Sequence, residues 1–256
     1  MAAGWPAACQ TASPAGDDDI NPDRPGIADG SQVIGPGRFQ VEAGLQAEFR
    51  RDGDARERTL FLPTLLRLGI DEAWELRLET SGYVWDRVQG PGSAAATSED
   101  ASPVSLGVKY HFLDSAGPQR PSMGVILRVF PASGSGPFRT EHTTADLRLV
   151  ADWDLAPKWS LNPNIGVALY ESGGRTFEAA LVAATLGYNP TPALNLFVDT
   201  GVQSPEARRG RTSVIFDAGA AYVIGHDLQV DVSVGAGAAG ETPPHPFVSA
   251  GISKRF

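Results

Sequence analysis

Few side chains of this sequence are placed for acid–base or nucleophilic chemistry. The four histidines are His111, His142, His226 and His245. A hydrolase needs a nucleophile or an activated water within hydrogen-bond reach of a base that a third group orients. Neither Gly-x-Ser-x-Gly nor His-Glu-x-x-His occurs. His142 beside Glu141 could be imagined as a base, but an exposed loop histidine is the default interpretation. We therefore predict no catalytic residue, no metal site and no cofactor.

Charged residues follow a clearer pattern, because they recur at alternate positions of runs whose other positions are apolar. Successive side chains of a strand point to opposite faces, so these charges share one face of a sheet. If the apolar face meets lipid, the charged face lines the inside of a closed barrel. The predicted interior acids are Glu42, Glu48, Glu75, Glu79, Asp146, Asp152, Asp154, Glu178, Asp199, Asp217 and Asp231, and the predicted interior bases are Arg67, Arg77, Lys109, Arg128, Arg148 and Arg255. This mixed lining has an acidic excess and suits a small polar or cationic solute, or one bearing an ionisable group, although a closed ion-pair network would use the same residues.

The strands that carry these charges are long. From Phe39 to Phe49, apolar side chains alternate with polar or small ones over eleven positions, about the length of a tilted transmembrane strand. Aromatic residues cluster near the ends of such runs, as interfacial girdles do. The further predicted strands are 59–68, 74–85, 103–112, 122–131, 144–155, 159–170, 177–188, 193–203, 212–224, 228–238 and 246–256.

The connections between the strands alternate in length. Long polar connections lie at 50–58, 86–102, 132–143, 171–176, 204–211 and 239–245, and short ones near 69–73, 156–158, 189–192 and 225–227, with 113–121 longer than the alternation predicts. Short periplasmic turns, longer external loops and an even strand number are typical of outer-membrane barrels. We therefore predict an all-β fold, a single transmembrane antiparallel up-and-down β-barrel of 12 strands with both termini periplasmic.

The chain ends in an aromatic residue, Phe256, whereas a soluble domain usually ends in a frayed polar tail. Val248, Ala250 and Ile252 share its parity, and Lys254, which breaks the series, could snorkel to lipid headgroups. A terminal phenylalanine on a closing strand resembles the signature that the outer-membrane assembly machinery reads. The resemblance implies that Phe256 is an assembly signal, with that machinery and outer-membrane lipid as partners.

Composition excludes several other classes of protein. The net charge of −9 argues against nucleic acid, whose binding depends on neutralising phosphates with Lys and Arg. No apolar run approaches the ~20 residues that a transmembrane helix needs. The 29 Gly and 20 Pro residues disfavour a helical fold, and the single cysteine, Cys9, allows no internal disulfide.

Four ordered segments between residues 21 and 80 resemble a known family. They are Asp-Arg-Pro at 23–25, Pro-Gly-Arg-Phe at 36–39, Pro-Thr-Leu-Leu-Arg at 63–67 and Trp-Glu-Leu-Arg at 74–77. The family consists of outer-membrane barrels described as transporters and labelled "MetA-pathway of phenol degradation". The resemblance implies a porin-like channel for small, aromatic or charged solutes. Pro22 departs from the family, which tends to have Thr at that position.

The residues before the first strand are predicted to form two parts. Residues 1–20 are expected to be the remainder of a leader or a disordered segment, because they lack both a basic stretch and an apolar core. Residues 21–38, rich in Asp, Gly and Pro, are predicted to be extended. They would either hang in the periplasm or reach into the barrel as a plug, and the barrel itself is predicted over 39–256.

The predicted function is a channel or transporter for small solutes in the bacterial outer membrane. The alternatives are an outer-membrane hydrolase and a plugged structural or adhesin barrel that acts through its 86–102 loop. A soluble β-sandwich or carbohydrate-binding module would also alternate, but its strands average ~5–6 residues and need no alternation of loop lengths.

Overall fold

The computed structural model describes residues 19–92, 94–172, 175–205, 211–239 and 245–256. These residues form one antiparallel sheet that closes on itself, because the first strand pairs with the last. The strand segments are β1 (Phe39–Asp52), β2 (Ala55–Phe61), β3 (Thr64–Gly69), β4 (Trp74–Thr80), β5 (Tyr83–Gln89), β6 (Ala96–Ala101), β7 (Val104–Leu113), β8 (Ser122–Phe130), β9 (Thr144–Ala156), β10 (Trp159–Ser172), β11 (Arg175–Thr191), β12 (Leu194–Gln203), β13 (Ser213–Ile224), β14 (Leu228–Ala239) and β15 (Pro246–Arg255). A short 3-10 helix (Gly136–Phe138) follows β8.

These fifteen segments make the twelve strands of the barrel, so the predicted twelve-strand fold is confirmed. Three strands are interrupted once each, where β2 passes into β3, β4 into β5 and β6 into β7. Pro63 and Pro103 lie at two of the breaks, because proline has no N–H to donate to the ladder. Gly82 lies at the third with a φ of 67°, which other residues rarely adopt.

The two ends of the barrel differ. We call the end that carries Phe39 and Phe256 the turn end, since the connections there are short, and the opposite end the loop end. At the loop end β2, β5 and β6 extend the sheet beyond the closed ring. The predicted loops 50–58 and 86–102 are therefore largely strand, because β1 and β2 stay paired as far as Asp52 and Ala55 and β5 pairs with β6.

The closure between β1 and β15 runs from Gln40 opposite Arg255 to Glu48 opposite Phe247. Beyond it, Phe256 N–H donates to the carbonyl of Phe39 at 2.8 Å, and the two rings lie 6.3 Å apart. The Lys254 ammonium lies 5.8 Å from the Phe256 ring centre. The last residue therefore belongs to the seam that joins the two ends of the chain.

Apolar side chains cover the outside of the barrel, and polar ones fill the inside. Leu45, Ile165 and Val234 are about half exposed on the outer face, while Arg67 and Lys109 are almost fully buried. This is the reverse of a soluble domain, and it fits a wall between lipid and a polar lumen. No helix among the described residues is long and apolar enough to cross a membrane.

The height of the apolar band can be taken from β1. Phe39 and Phe49 are both outward-facing and exposed, and they lie ten residues apart. At ~3.3 Å per residue and a tilt of ~40°, this separation spans about 25 Å, the height of the lipid-facing band of outer-membrane barrels. Trp74 stacks on Tyr110 at 4.4 Å between ring centres, and together they belong to an aromatic girdle at the turn end.

Deleting Phe256 should impair assembly of the barrel, because it removes the aromatic contact and the two hydrogen bonds that close the seam. We expect markedly less heat-modifiable protein in the membrane fraction of cells that express the truncated chain. Phe112→Ala, which removes another exposed turn-end aromatic away from the seam, serves as the control. Normal assembly of the truncated chain would contradict this role for the terminus.

Candidate functional site

Residues 19–38 lie inside the barrel, and we call them the lumen segment. At its start, Ile20 N–H donates to the carbonyl of His226 at 2.6 Å, in a turn at the turn end. Near its end, Gly37 N–H donates to the carbonyl of Gly69 at 2.9 Å, also at the turn end. The segment therefore enters and leaves the lumen at the same end and forms a loop within it.

Three basic side chains from neighbouring strands meet the lumen segment at one acid. Arg67 of β3 lies directly opposite Arg77 of β4, and like charges in such cross-strand positions repel. Asp23 offsets this repulsion: its Oδ2 atom lies 2.5 Å from Arg77 Nη1, 3.0 Å from Lys109 Nζ and 3.8 Å from Arg67 Nη1. The wall of the barrel is thus neutralised in part by a residue that does not belong to the wall.

Electrostatics keep that carboxyl ionised. Burial by itself raises the pKa of Asp23, but the charges of Lys109, Arg67 and Arg77 lower it more, and the pKa lies well below its usual range. At neutral pH the lumen segment therefore presents a full negative charge to three cations.

Arg67 binds the lumen segment through backbone groups as well. Its guanidinium bonds Glu75 at 2.8 Å and Glu42 at 3.1 Å. Its remaining N–H groups donate to the carbonyls of Asn21 at 2.9 Å and Gln32 at 3.1 Å. All these groups lie within a buried network, where each hydrogen bond to a charged group is strengthened by the low local dielectric.

Asp29 forms a second ionic centre, deeper in the lumen. Its carboxylate lies 3.1 Å from Arg77 Nη2, 3.1 Å from Arg148 Nη1 and 3.9 Å from Arg128 Nη1. Its own N–H donates to Asn164 Oδ1 at 2.8 Å. Asp29 therefore links β4, β8 and β9 to the next strand of the wall, β10.

Among the ion pairs described here, Arg24 is the cation that the lumen segment contributes. Its Nη2 atom bonds Asp231 Oδ1 at 3.0 Å and Ser249 Oγ at 3.1 Å. Gly44 and Gly251 lie beside the guanidinium, and a Cβ atom on either would clash with it. These two glycines of β1 and β15 therefore make the space that Arg24 occupies.

The middle of the lumen segment is held by hydroxyl and carboxylate groups. Ser31 Oγ lies 2.7 Å from Ser122 Oγ and donates to Asp152 Oδ2 at 2.6 Å. Ile27 N–H donates to Asp199 Oδ2 at 3.0 Å. Contacts therefore reach the segment from most sides of the barrel, in the turn-end half of the lumen.

A cavity of about 510 Å³ lies on the other side of the segment. Arg77, Glu79, Arg128 and Arg148 line it, with Arg24 to Asp29 as part of its floor. Arg128 is fixed there by Asp146 at 2.7 Å and Glu79 at 3.0 Å. The cavity wall is thus charged, yet most of its charges are already paired.

A smaller pocket of about 270 Å³ is mainly apolar. Ile27, Ala183, Gly201 and Ile215 line it, and Arg148 contributes to both cavities. Small residues on β11 and β12 leave this space free. The open part of the lumen therefore has a charged side and an apolar side that meet at Arg148 and Ile27.

The structure places the sequence-predicted interior residues as follows. Those buried within the barrel are Glu42, Arg67, Glu75, Arg77, Lys109, Arg128, Asp146, Asp199, Asp217, Asp231 and Arg255, and those partly exposed on the inner face are Glu48, Glu79, Arg148, Asp152 and Asp154. Arg255 lies apart from the main network and bonds Asp227 at the turn end.

One predicted interior residue is placed wrongly. Glu178 is exposed on the outer face, whereas Phe177 and Ala179 point inward. Glu178 lies opposite the outward-facing Leu169 of β10, so the register of β11 puts the apolar Phe177 and Ala179 on the inner face and the charged residue on the outer one.

Asp23, Arg24 and Asp29 are the functional residues that strand periodicity did not find. They lie outside the strands, so no alternation marks them, and only the Asp-Arg-Pro segment of the family resemblance pointed to the first two. The expected plug or periplasmic segment, 21–38, lies in the lumen. The leader predicted at 1–20 lies outside the described residues except for Asp19 and Ile20.

Two of the four histidines contact the lumen segment: His111 Nδ1 lies 3.1 Å from the carbonyl oxygen of Ser31, and the carbonyl of His226 accepts from Ile20 N–H. His142 Nε2 lies 2.5 Å from Glu171 Oε2, with the imidazole more than half exposed, so its partner is not the neighbouring Glu141. Among the described residues, no group of three His, Cys, Asp or Glu side chains could hold a metal ion.

A closed antiparallel ring, an apolar outer band and an ionic interior define a bacterial outer-membrane β-barrel. The chain belongs to the family described as "Putative MetA-pathway of phenol degradation", whose model matches residues 22–256. A comparison with curated proteins returned no match.

Solved structures share the fold at low sequence identity. An outer membrane channel from Pseudomonas putida F1 is 12% identical with a TM-score of 0.67, and the match covers 93% of this chain and 100% of the other. The KdgM porin in complex with disordered oligogalacturonate is 8% identical with a TM-score of 0.54, covering 85% and 99%. The translocator domain of the autotransporter NalP from Neisseria meningitidis is 13% identical with a TM-score of 0.51, covering 87% and 89%.

Asp23→Asn should loosen the lumen segment, because three buried cations lose their shared counter-charge. We expect the free energy of unfolding to fall by about 3 kcal/mol and the segment to become sensitive to protease, measured by urea unfolding and limited proteolysis in detergent. Glu99→Gln, which neutralises an exposed carboxylate on β6, is the control. Unchanged protease resistance of the Asp23 variant would show that these ion pairs do not hold the segment.

Proposed function

We propose that this protein is an outer-membrane channel for small solutes and that the lumen segment controls passage through it. The observation that carries the proposal is the arrangement of the lumen. A cavity of about 510 Å³ lies above residues 24–29, while those residues and their ion pairs occupy the space below. A solute that enters from the loop end reaches this floor and passes when the segment shifts.

The lining favours a solute with an apolar body and an ionisable group. The charged side of the cavity offers Arg148, whose Nε atom is buried without a hydrogen-bond partner in the described part of the chain. The apolar side offers the pocket beside Ile27 and Ile215. The description of the family, which refers to phenol degradation, supports small aromatic compounds as the solute class.

The proposed orientation places the turn end in the periplasm and the loop end outside the cell. Short connections lie at the turn end, as do Ile20 at the start of the lumen segment and Phe256, which is the arrangement of outer-membrane barrels. The segment would then close the channel on its periplasmic side.

A second candidate function is a permanently plugged structural barrel. The number of buried ion pairs to the lumen segment favours it, since breaking one without a replacement partner costs about 3 kcal/mol or more. The two functions differ in whether the segment must move, so tethering the segment separates them.

A cysteine pair at Ser31 and Ser122 should lock the channel. The two hydroxyl oxygens lie 2.7 Å apart, which suits replacement by a disulfide. In a Cys9→Ser background, we expect uptake of small aromatic acids into proteoliposomes to fall severalfold on oxidation and to recover on reduction. Planar-bilayer conductance should follow the same pattern.

The control is a cysteine pair at Ala168 and Ala179, which face each other across β10 and β11 and touch no described residue of the lumen segment by hydrogen bond or ion pair. Oxidation of this pair should leave uptake unchanged. Equal uptake by the oxidised and reduced Ser31–Ser122 variant would exclude gating by the segment. Absence of uptake in every variant, including the wild type, would favour the plugged barrel.

Labelling should report the orientation. A cysteine at Asp54, in the β1–β2 hairpin, should react with a membrane-impermeant maleimide on intact cells. One at Ser115, in the β7–β8 connection at the turn end, should react only after the outer membrane is opened. The reverse result would invert the barrel and remove the periplasmic position of the segment.

A further inference from the structure

The outer face of the barrel carries a cluster of arginines at the loop-end edge of the apolar band, with Arg58 in register with Phe49 and Arg51 two residues beyond Phe49. It consists of Arg51 on β1, Arg56 and Arg58 on β2 and Arg87 on β5, and all four side chains are exposed. Arg58 extends over the ring of Phe49, 5.5 Å from its centre. Because Phe49 faces outward, this contact places the cluster on the outer face of the wall.

The cluster contains two like-charge pairs. Arg51 lies directly opposite Arg56, and Arg58 lies directly opposite Arg87. Residues in such positions have Cβ atoms about 4.5–5.5 Å apart, and like charges there destabilise a sheet. An external anion would convert this repulsion into attraction.

Neighbouring residues show that the chain can pair arginines where it needs to. Arg50, on the inner face beside Arg51, lies 3.3 Å from Glu48 and 3.4 Å from Glu57. None of the four outer arginines forms an ion pair with a described residue, although the full sequence has a net charge of −9. The four arginines therefore face outward together, and no described residue supplies a counter-charge to them.

The height of the cluster along the barrel indicates which layer of the membrane lies beside it. Arg51 lies two residues beyond Phe49, which places it about 5 Å above the top of a band about 25 Å tall. Side chains at this level meet lipid headgroups and not acyl chains. Leu60 and Trp85, cross-strand partners on the same outer face, lie on the lipid side of the arginines.

We propose that Arg51, Arg56, Arg58 and Arg87 form a binding site for the phosphate-bearing glycolipid of the outer leaflet, lipid A. Arginine forms bidentate hydrogen bonds with phosphate, and a lipid A phosphate would lie between the two like-charge pairs. Its acyl chains would then descend along Phe49, Leu60 and Trp85. The inference rests on the proposed orientation, with the loop end outside, and not on solute transport.

The first test needs no variant. Purified full-length protein in detergent is titrated with fluorescently labelled diphosphoryl lipid A, with the same lipid after removal of both phosphates, and with inorganic phosphate as competitor. We expect saturable binding of the phosphorylated lipid, about tenfold or more weaker binding of the dephosphorylated lipid, and little competition by inorganic phosphate. Equal binding of the two lipids would overturn the proposal, and full competition by inorganic phosphate would show a free anion site instead.

The second test uses Arg51→Gln/Arg58→Gln/Arg87→Gln, which removes one member of each pair and one further charge. Without lipid A, this variant should keep its folded gel band to a higher temperature than the wild type, because repulsion is relieved. With lipid A, the wild type should become the more heat-resistant of the two. Arg139→Gln/Arg175→Gln/Arg211→Gln removes three exposed loop-end charges and should show neither effect.

A variant that binds diphosphoryl lipid A as tightly as the wild type would exclude the site. If the variant fails to fold, the comparison of the phosphorylated and dephosphorylated lipids on the wild type still tests the proposed site. Solute uptake by the variant should remain normal, so loss of lipid binding with intact uptake separates this inference from the proposed channel function. The cysteine labelling at Asp54 tests the orientation that both share.

Discussion

Compensation of buried charge in the lumen is the constraint on which the rest of this structure depends. The wall places Arg67 opposite Arg77 and Lys109 nearby, where water is scarce and unpaired charge is expensive. Acids on the wall offset only part of this charge. Asp23 and Asp29 of the lumen segment complete the network, so wall and segment form one electrostatic unit.

This unit explains why the lumen is divided. The segment is held where cations are dense, on β3, β4, β7 and β8, and it leaves free space towards the loop end and beside the small residues of β11 and β12. In the proposed function, a path for solutes depends on exchanging ion pairs between the segment and its surroundings. Arg148, which belongs to both the network and the two cavities, is the residue where a charged solute could compete with Asp29.

Charged side chains on the outer surface differ from those in the lumen in where their counter-charge comes from. Within the band that faces lipid, apolar side chains prevail, because no partner is available for a charge. At the loop-end edge of the band, four arginines form no ion pair with any residue that the structure describes. Inside the barrel the protein supplies the counter-charge itself, and outside it relies on the headgroups of the membrane, so position relative to lipid decides how each arginine is satisfied.

The sequence by itself determined the strands, their number and their inner and outer faces. Apolar and polar side chains alternate along each strand with a period of two, and this local pattern is required where one face of the strand meets lipid. Runs such as Phe39–Phe49 carry that signal without reference to any other part of the chain. Tertiary structure decided the rest. The place of Arg24 and Asp29 depends on partners more than a hundred residues away, that of Asp23 depends on side chains of three other strand segments, and the outward position of Glu178 depends on the register between β10 and β11. Periodicity within one strand does not show these facts, since they arise only when the strands pair and the sheet closes.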